Sequence, residues 1–398
     1  MTATAARRES DVTAWRSPLG SYYLLVVATS VLVLVGLAVV LSSSSIASIR
    51  TGTGAYTGFL TQAIALVVGL AALVVGSRLP VGFLRKAGPL VLYVAIGLLF
   101  MVLATGSSVG GNKAWINIAG FSLQPSEIAK LGLALYLGNV LSRFRHKLTH
   151  PRDILVPGGI MAIFVIGLVL AGRDMGTAMI MTAVVAIAFW VAGVPTRFFV
   201  LAGIVGAGLI VLLVFAADSR VERITDWFNG DSSWQQIHGT QALASGGLWG
   251  LGPGMSREKW GWLPASDNDY IFAIIGEEFG LIGTLVILAA YAMLLVAVTR
   301  IVSRSTDKFV QISAAAIGAW LIVQACVNIA VVLELAPVTG VPLPLVSSGG
   351  SSLIMSLAAV GVLMAFARNE PGAPEALATR TTVVRRSLAV LSRGRRRG

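Results

Sequence analysis

The sequence predicts an all-α, polytopic transmembrane bundle of about ten helices, with both termini in the cytoplasm and one large extracellular loop. Three observations predict it. Of 398 residues, 56% are hydrophobic and only 12% charged, about half the charge of a soluble domain; so much apolar surface requires lipid to cover it. Apolar runs of spanning length recur along the chain. Lys and Arg gather on alternate connections, the asymmetry that orients a membrane protein.

A polar segment, 1–20, opens the chain with Arg7, Arg8 and Arg16. The first apolar run, 22–45, ends in Ser42 to Ser45 and has no small-x-small cleavage pattern, so it reads as a retained helix and not as a signal peptide. Further runs centre on 57–77, 88–106, 154–171, 177–194, 198–216, 274–299, 309–335 and 343–367, and a shorter one, 128–142, is interrupted by Lys130. With the N-terminus inside and ten alternating helices, 22 of the 30 cations fall on the inner side, including Arg78, Arg85, Lys86, Arg300 and Arg304. The membrane domain is therefore 21–368, followed by a basic tail, 369–398, expected to be disordered and held near anionic lipids.

Two outer segments stand out. One runs over 106–126, the other over 217–268. The second far exceeds an ordinary connection and holds Trp227, Trp234, Trp249, Trp260 and Trp262. Tryptophan favours the membrane–water interface, so this loop is expected to lie along the outer leaflet.

The net charge of +12 does not indicate nucleic acid, because the cations are spread between apolar runs and not gathered on a folded basic domain. Cys326 has no cysteine to pair with and sits in an apolar run, where a small buried hydrophobe is expected. His146, His150 and His238 are too scattered for a zinc site.

Charges within a spanning helix cost about 2.5–3.5 kcal/mol on insertion scales, which singles out a few strings. Gln124-Pro125-Ser126-Glu127 starts a helix after the first outer segment, and Glu127 and Lys130 share one face. They read equally as a bundle-stabilising ion pair or as ligand-facing groups. Arg173-Asp174-Met175-Gly176-Thr177 reads either as a turn with a self-paired Arg and Asp or as an anion-facing Arg. Asp269-Tyr270-Ile271-Phe272, then Gly276-Glu277-Glu278-Phe279-Gly280, marks the loop's return to the membrane. Asp269 suits a helix N-cap, and Glu277 lies about 12 Å further along. Pro337 to Pro344, then Ser347 to Ser352, breaks the helix pattern, either as a packing kink or as a glycine-lined cavity mouth. All four strings fall on the outer side.

Together these strings resemble the SEDS family (shape, elongation, division and sporulation), the FtsW/RodA/SpoVE group of bacteria. The matching residues are Gln124-Pro125-Ser126-Glu127 with Lys130; Asp174-x-Gly176-Thr177; Asp269-Tyr270-Ile271-Phe272 leading to Gly276-Glu277-Glu278-x-Gly280; and Pro337-x-Thr339-Gly340-x-Pro342-x-Pro344 with Ser347-x-Gly349-Gly350-Ser351-Ser352. The N-terminal region and first helices resemble the division branch more than the elongation branch. The chain departs from the family in places. Ala114 precedes Trp115, with Lys113 one further back, where Arg is frequent; Ser348 replaces a common Tyr and Glu334 a common Gly; and Ala265-Ser266-Asp267-Asn268 replaces the usual lead-in.

The resemblance implies a peptidoglycan glycosyltransferase that polymerises lipid II on the outer face of the cytoplasmic membrane. It also implies work with a class B penicillin-binding protein transpeptidase and with other division or elongation proteins, at the septum if the division branch is right. Asp269 matches the essential acidic position and becomes the expected general base. Lys130, Lys113 and Arg173 are expected at the diphosphate, with a divalent cation, Mg or Mn, bridging its oxygens. Asp174, Glu277 and Glu278 are expected to shape the cavity. Trp115, Gln124, Ser126, Glu127, Thr177, Thr339, Ser347 and Ser351 complete the substrate-binding set. A lipid II flippase and a non-catalytic divisome scaffold are the alternatives. A transport path would show polar residues on both sides of the membrane, and a scaffold would not need intramembrane Glu and Lys.

Overall fold

A computed structural model describes residues 17–50, 56–109, 112–118, 121–144, 150–215, 225 and 233–376. The expectations for the tail beyond 376, for the start of the chain, for Trp227 and for most of 217–232 lie outside the described residues.

Eleven α-helices of twelve residues or more organise the described chain: α1 (Gly20–Arg50), α2 (Thr57–Arg78), α3 (Val81–Thr105), α4 (Pro125–Leu141), α5 (Ile160–Ala171), α6 (Met175–Val191), α7 (Thr196–Phe215), α8 (Trp234–Gly246), α9 (Ile271–Arg304), α10 (Lys308–Val332) and α11 (Gly350–Arg368). Six are long and apolar enough to cross a membrane: α1 over Gly20–Ser45, α2, α3, α9, α10 and α11. The expected apolar runs coincide with α1–α7 and α9–α11. Three boundaries move. The run at 343–367 becomes helical only from Gly350, because Pro342 and Pro344 cannot continue a ladder. The run at 88–106 starts at Val81. The run at 154–171 opens with a π-helical turn, Leu155–Gly159, before α5.

One element departs from the all-α expectation. The segment 106–126, expected on the outer side, holds a three-stranded antiparallel sheet, β1 (Ser107–Val109), β2 (Asn112–Ile118) and β3 (Phe121–Leu123). The alternation in β2 explains it: Ala114 and Ile116 are buried while Lys113, Trp115 and Asn117 are not, the period-2 pattern of a half-buried strand.

The core lies along α4, α10 and α11, and the other helices surround it. Fourteen of the seventeen residues of α4 are buried, so Glu127 and Lys130 sit inside protein and not in lipid. Small residues allow the closest approaches. Gly132 of α4 faces the backbone of Leu92 in α3, and Gly138 faces Ser313 of α10. In α2, Gly69 packs on Ile354 and Leu357 of α11, and Gly361 of α11 presses on the Leu73 carbonyl. Cys326 is exposed on the outside of α10 and not buried as expected. It lies two residues from the inward-facing Gln324 and Asn328, on the opposite side of the helix.

At the Gly20 end of the bundle, charged groups join distant ends. The Arg300 guanidinium donates to Ser17 O (3.1 Å) and Ser21 Oγ (3.3 Å), and Arg304 pairs with Glu370 at 2.8 Å. Arg85 pairs with Asp307 through both carboxylate oxygens.

These contacts give a stability test. A Cβ on Gly361 would stand 2.6 Å from the Leu73 carbonyl oxygen, whereas one on Gly97 of α3 meets nothing within 4 Å. Gly361→Ala is expected to cost about 1–3 kcal/mol through forced separation of α2 and α11. Gly97→Ala should cost nothing. Thermal unfolding of the two variants in detergent reads the difference, and equal midpoints would contradict the packing account.

Candidate active site

At the end of the bundle opposite Arg300, two non-helical segments meet over the tops of α4, α6 and α10. One is the lead-in to α9, residues 263–270. The other is 333–349, between α10 and α11. Four non-glycine residues around this site adopt left-handed backbone: Arg173 (φ 64°), Ala265 (φ 53°), Glu334 (φ 61°) and Leu345 (φ 66°). Such conformations cost about 1–2 kcal/mol each for a residue with a Cβ and persist where surrounding contacts over-determine them. The φ of Glu334 accounts for the glycine that resembling sequences carry there. Its carboxylate takes a hydrogen bond from Thr240 Oγ1 at 2.5 Å.

Asp269 ends the lead-in. It is not the N-cap of α9: Tyr270 holds that position, without a side-chain cap. Its carboxylate faces Gly340, where a Cβ would come within 3.7 Å of Oδ2. Burial pushes the Asp269 carboxyl up to about 6, opposed by a backbone hydrogen bond and assisted by the Asp267 charge. Burial likewise raises Asp267. The opposing influences on Asp269 thus resolve toward a raised value, because burial outweighs the backbone hydrogen bond that favours the charged form.

The segment hangs from its neighbours by specific donors. Asn328 Nδ2 of α10 donates to Asp269 O (2.7 Å) and Val341 O (2.8 Å), joining the two loops. Ser347 Oγ donates to Asn268 O at 2.6 Å and accepts from Leu343 N at 2.8 Å. Ser348 N donates to Asp267 O. From α2, Gln62 donates to Ser347 O and accepts from Gly349 N, both at 3.2 Å. Below them, Lys130 Nζ donates to Glu127 Oε1 (2.8 Å) and Gln324 Oε1 (2.7 Å) and lies 4.7 Å from the Trp320 ring centroid. Gln324 Nε2 in turn donates to Pro342 O at 2.8 Å. The Glu127–Lys130 pair is thus part of a network supporting the loop that faces Asp269. Ser126 Oγ, Glu127 Oε2 and Tyr270 OH are buried there without a hydrogen-bond partner among the described residues.

The remaining expected residues divide. Asp174 caps α6 by accepting from Thr177 N (3.0 Å) and also takes Gln124 Nε2 (3.1 Å), while Gln124 N donates to Ser351 Oγ (3.3 Å). That brings Gln124, Asp174, Thr177 and Ser351 together. Thr339 joins them, since its carbonyl lies against Gly176. Arg173 is exposed beside this group, and the Asp174 carboxylate bonds Thr177 and Gln124 in place of the expected Arg173. Lys113 points elsewhere: its Nζ donates to Leu103 O at 2.7 Å, occupying the free carbonyls at the end of α3. Trp115 lies half-buried in β2, its carbonyl accepting from Ser107 Oγ.

Glu277 and Glu278 are each 1% exposed and hold the large loop. Glu277 accepts from Ser256 Oγ and Arg257 N (2.8 Å). Glu278 pairs with Lys259 at 2.7 Å and accepts from Ser42 Oγ of α1 at 2.6 Å. Immediately beyond, Gly280 (φ 66°) breaks α9, and Leu251 N and Gly252 N bond the carbonyls of Glu277 and Glu278. On the loop itself, the Trp234 indole donates to Trp262 O (2.6 Å), and His238 Nδ1 lies 2.7 Å from Glu258 Oε2.

Sequence reasoning missed Gln62, Gln324, Asn328 and Lys259. Gln324 and Asn328 had a signal: two amides four residues apart in an apolar run lie on one helix face. A search restricted to ionisable groups passes over them.

Asn328→Leu would leave the Asp269 and Val341 carbonyls without their donor, at a cost of about 2–4 kcal/mol. The expected result is lowered thermal stability together with faster hydrogen exchange at amides 266–270. Unchanged exchange there would show that the segment is held by something else.

The profile of the cell cycle protein family, FtsW/RodA/SpoVE, matches residues 22–371. The chain is 36% identical over 383 residues to the probable peptidoglycan glycosyltransferase FtsW of Mycobacterium tuberculosis, covering 94% of this chain and 73% of the relative. It is 34% identical over 354 residues to the stage V sporulation protein E of Bacillus subtilis, covering 87% and 96%. Among solved structures it matches the rod shape determining protein RodA of Thermus thermophilus (TM-score 0.66, 25% identity, 88% of this chain and 97% of that one). It also matches a chain of a peptidoglycan synthase complex (TM-score 0.71, 24% identity, 87% and 97%). With the family profile spanning nearly all the described residues and the same fold recurring in its solved relatives, this chain belongs to the FtsW/RodA/SpoVE family.

Proposed function

We propose that the chain is a peptidoglycan glycosyltransferase that polymerises lipid II on the outer face of the bacterial inner membrane, with Asp269 as general base. Family membership supports the reaction class. The observation that carries the assignment to Asp269 is its carboxylate, held facing Gly340 in a loop fixed from α10 and pushed to about 6 by burial. A base with a pKa just below the working pH is both ionised and able to accept a proton.

In this reading α1–α7 and α9–α11 all cross the bilayer, with both termini inside, which places Asp269 on the outer face. The acceptor 4-hydroxyl gives its proton to Asp269 as its oxygen bonds the anomeric carbon of the donor, and the diphosphate leaves with the bonding pair. Arg173 is exposed immediately before the Asp174–Thr177 cap and suits the departing diphosphate. Lys130 acts through the network beneath the loop, and Lys113 through the end of α3. Glu277 and Glu278 position the large loop, whose exposed Trp249 and Trp260 suit the interface of the outer leaflet.

A divalent cation, Mg or Mn, belongs to this reading as a partner of the diphosphate, whose charge it would neutralise; such ions take much of their coordination from substrate phosphates and water. Among the described residues no three His, Cys, Asp or Glu side chains are grouped to hold a resident ion. The likeness to a chain of a synthase complex supports a crosslinking partner, read here as a class B penicillin-binding protein transpeptidase, with action at the septum or in elongation.

Asp269→Asn should abolish glycan-strand synthesis from purified lipid II while the protein stays folded. Because the ionised carboxylate is the active form, wild-type rate should rise with pH through about 6 and then level. Normal polymer from the Asn variant, or a rate falling as pH rises through that range, would overturn the assignment. Lipid II translocation measured on the same sample separates a polymerase from a carrier. Chelation of divalent ions should lower the rate, with recovery on adding Mg; full activity in excess chelator would remove the cation from the reading.

A further inference from the structure

Backbone packing on one side of α2 has left a space on the other. Gly69, Gly76 and Gly361 bring α2 hard against α11. Between α2 and the first half of α1 lies a groove of about 720 Å³, within the range of small-molecule sites. Its walls are mostly apolar, formed by Val26, Val33, Leu37, Leu66 and Leu70, with Thr29 and Ser30 between them. It lies at the Gly20 end of α1, away from Asp269, and belongs to none of the machinery described above.

One end of the groove differs from its walls. Arg78, at the end of α2, and Arg368, at the end of α11, line it there with Ser77 and Tyr22. Arg368 Nη1 donates to Ser77 O at 3.2 Å. Neither arginine forms an ion pair with a carboxylate among the described residues. Two guanidiniums without counter-ions among the described residues, at the mouth of an apolar slot, complement a ligand with an anionic head and an alkyl tail. Guanidinium matches phosphate oxygens bidentately, and basic pockets between helices on the cytoplasmic side suit anionic lipid heads.

We propose that this groove binds one anionic phospholipid, its phosphodiester between Arg78 and Arg368 and an acyl chain along α1 and α2. A phospholipid is the occupant because the walls open to the hydrocarbon: Leu34 and Val74, both groove residues, are exposed. The site would serve as a lipid wedge between the splayed ends of two helices, and it does not depend on the polymerase reading.

The test uses the full chain, purified in neutral detergent and examined by native mass spectrometry with phosphatidylglycerol or phosphatidylcholine at equal concentration. Retention of one phosphatidylglycerol, preferred by about tenfold or more, is expected. The double variant Arg78→Gln/Arg368→Gln should lose the preference. Ser30→Trp, which fills the groove from α1 and alters no charge, should lose the bound lipid and carries the test if the double variant does not fold. Inorganic phosphate at the same concentration should not displace the lipid. Equal retention of the two lipids, wild-type retention in Ser30→Trp, or displacement by inorganic phosphate would each overturn the proposal.

Discussion

The end of the bundle that carries Asp269 depends on two side-chain amides of α10. Asn328 donates to one carbonyl in each of the two non-helical segments, and Gln324 joins Pro342 to Lys130. Irregular backbone near the membrane surface survives only where protein satisfies its polar groups. A helix interior cannot offer backbone donors to a neighbour, since its own ladder uses them, so side-chain amides take that task. The loops that carry Asp269 and face Gly340 exist in this form because α10 supplies donors on one face.

The same reasoning explains why charges are buried in α4. Lys130 is among the largest fully buried side chains, and alone it would be expensive. Glu127, Gln324 and the Trp320 ring surround its ammonium. Removing one partner would strand the others, so the group acts as a unit. The reading of an ion pair that merely braces the bundle and the reading of a functional pair converge, because what the pair braces is the loop opposite Asp269.

The helices were legible in the sequence because hydropathy is a local property: ten apolar runs sit where α1–α7 and α9–α11 form. The four polar strings were legible too, since Pro, Gly and acidic residues stand out within apolar surroundings. What escaped depended on contacts between distant residues. Lys259 reaches Ser42, more than two hundred residues away, and nothing near either residue announces it. Asp269 looked like a helix cap because cap preference is a local statistic, whereas Tyr270 takes that place and leaves the carboxylate buried. The small sheet was hidden among helices because seven residues of β2 carry only a short alternation.

The break at Gly280 has a mechanical consequence. At 34 residues, α9 would be about 50 Å long if continuous, against a hydrocarbon core of about 30 Å. Splitting it fixes the first ten residues to the loop, clasped through Glu277 and Glu278, while the remainder packs into the bundle and bonds Pro344 O through Tyr291 OH. The break at Gly280 lets the two parts of α9 run against different neighbours, the large loop before it and the bundle after it, so a helix too long for one crossing serves both.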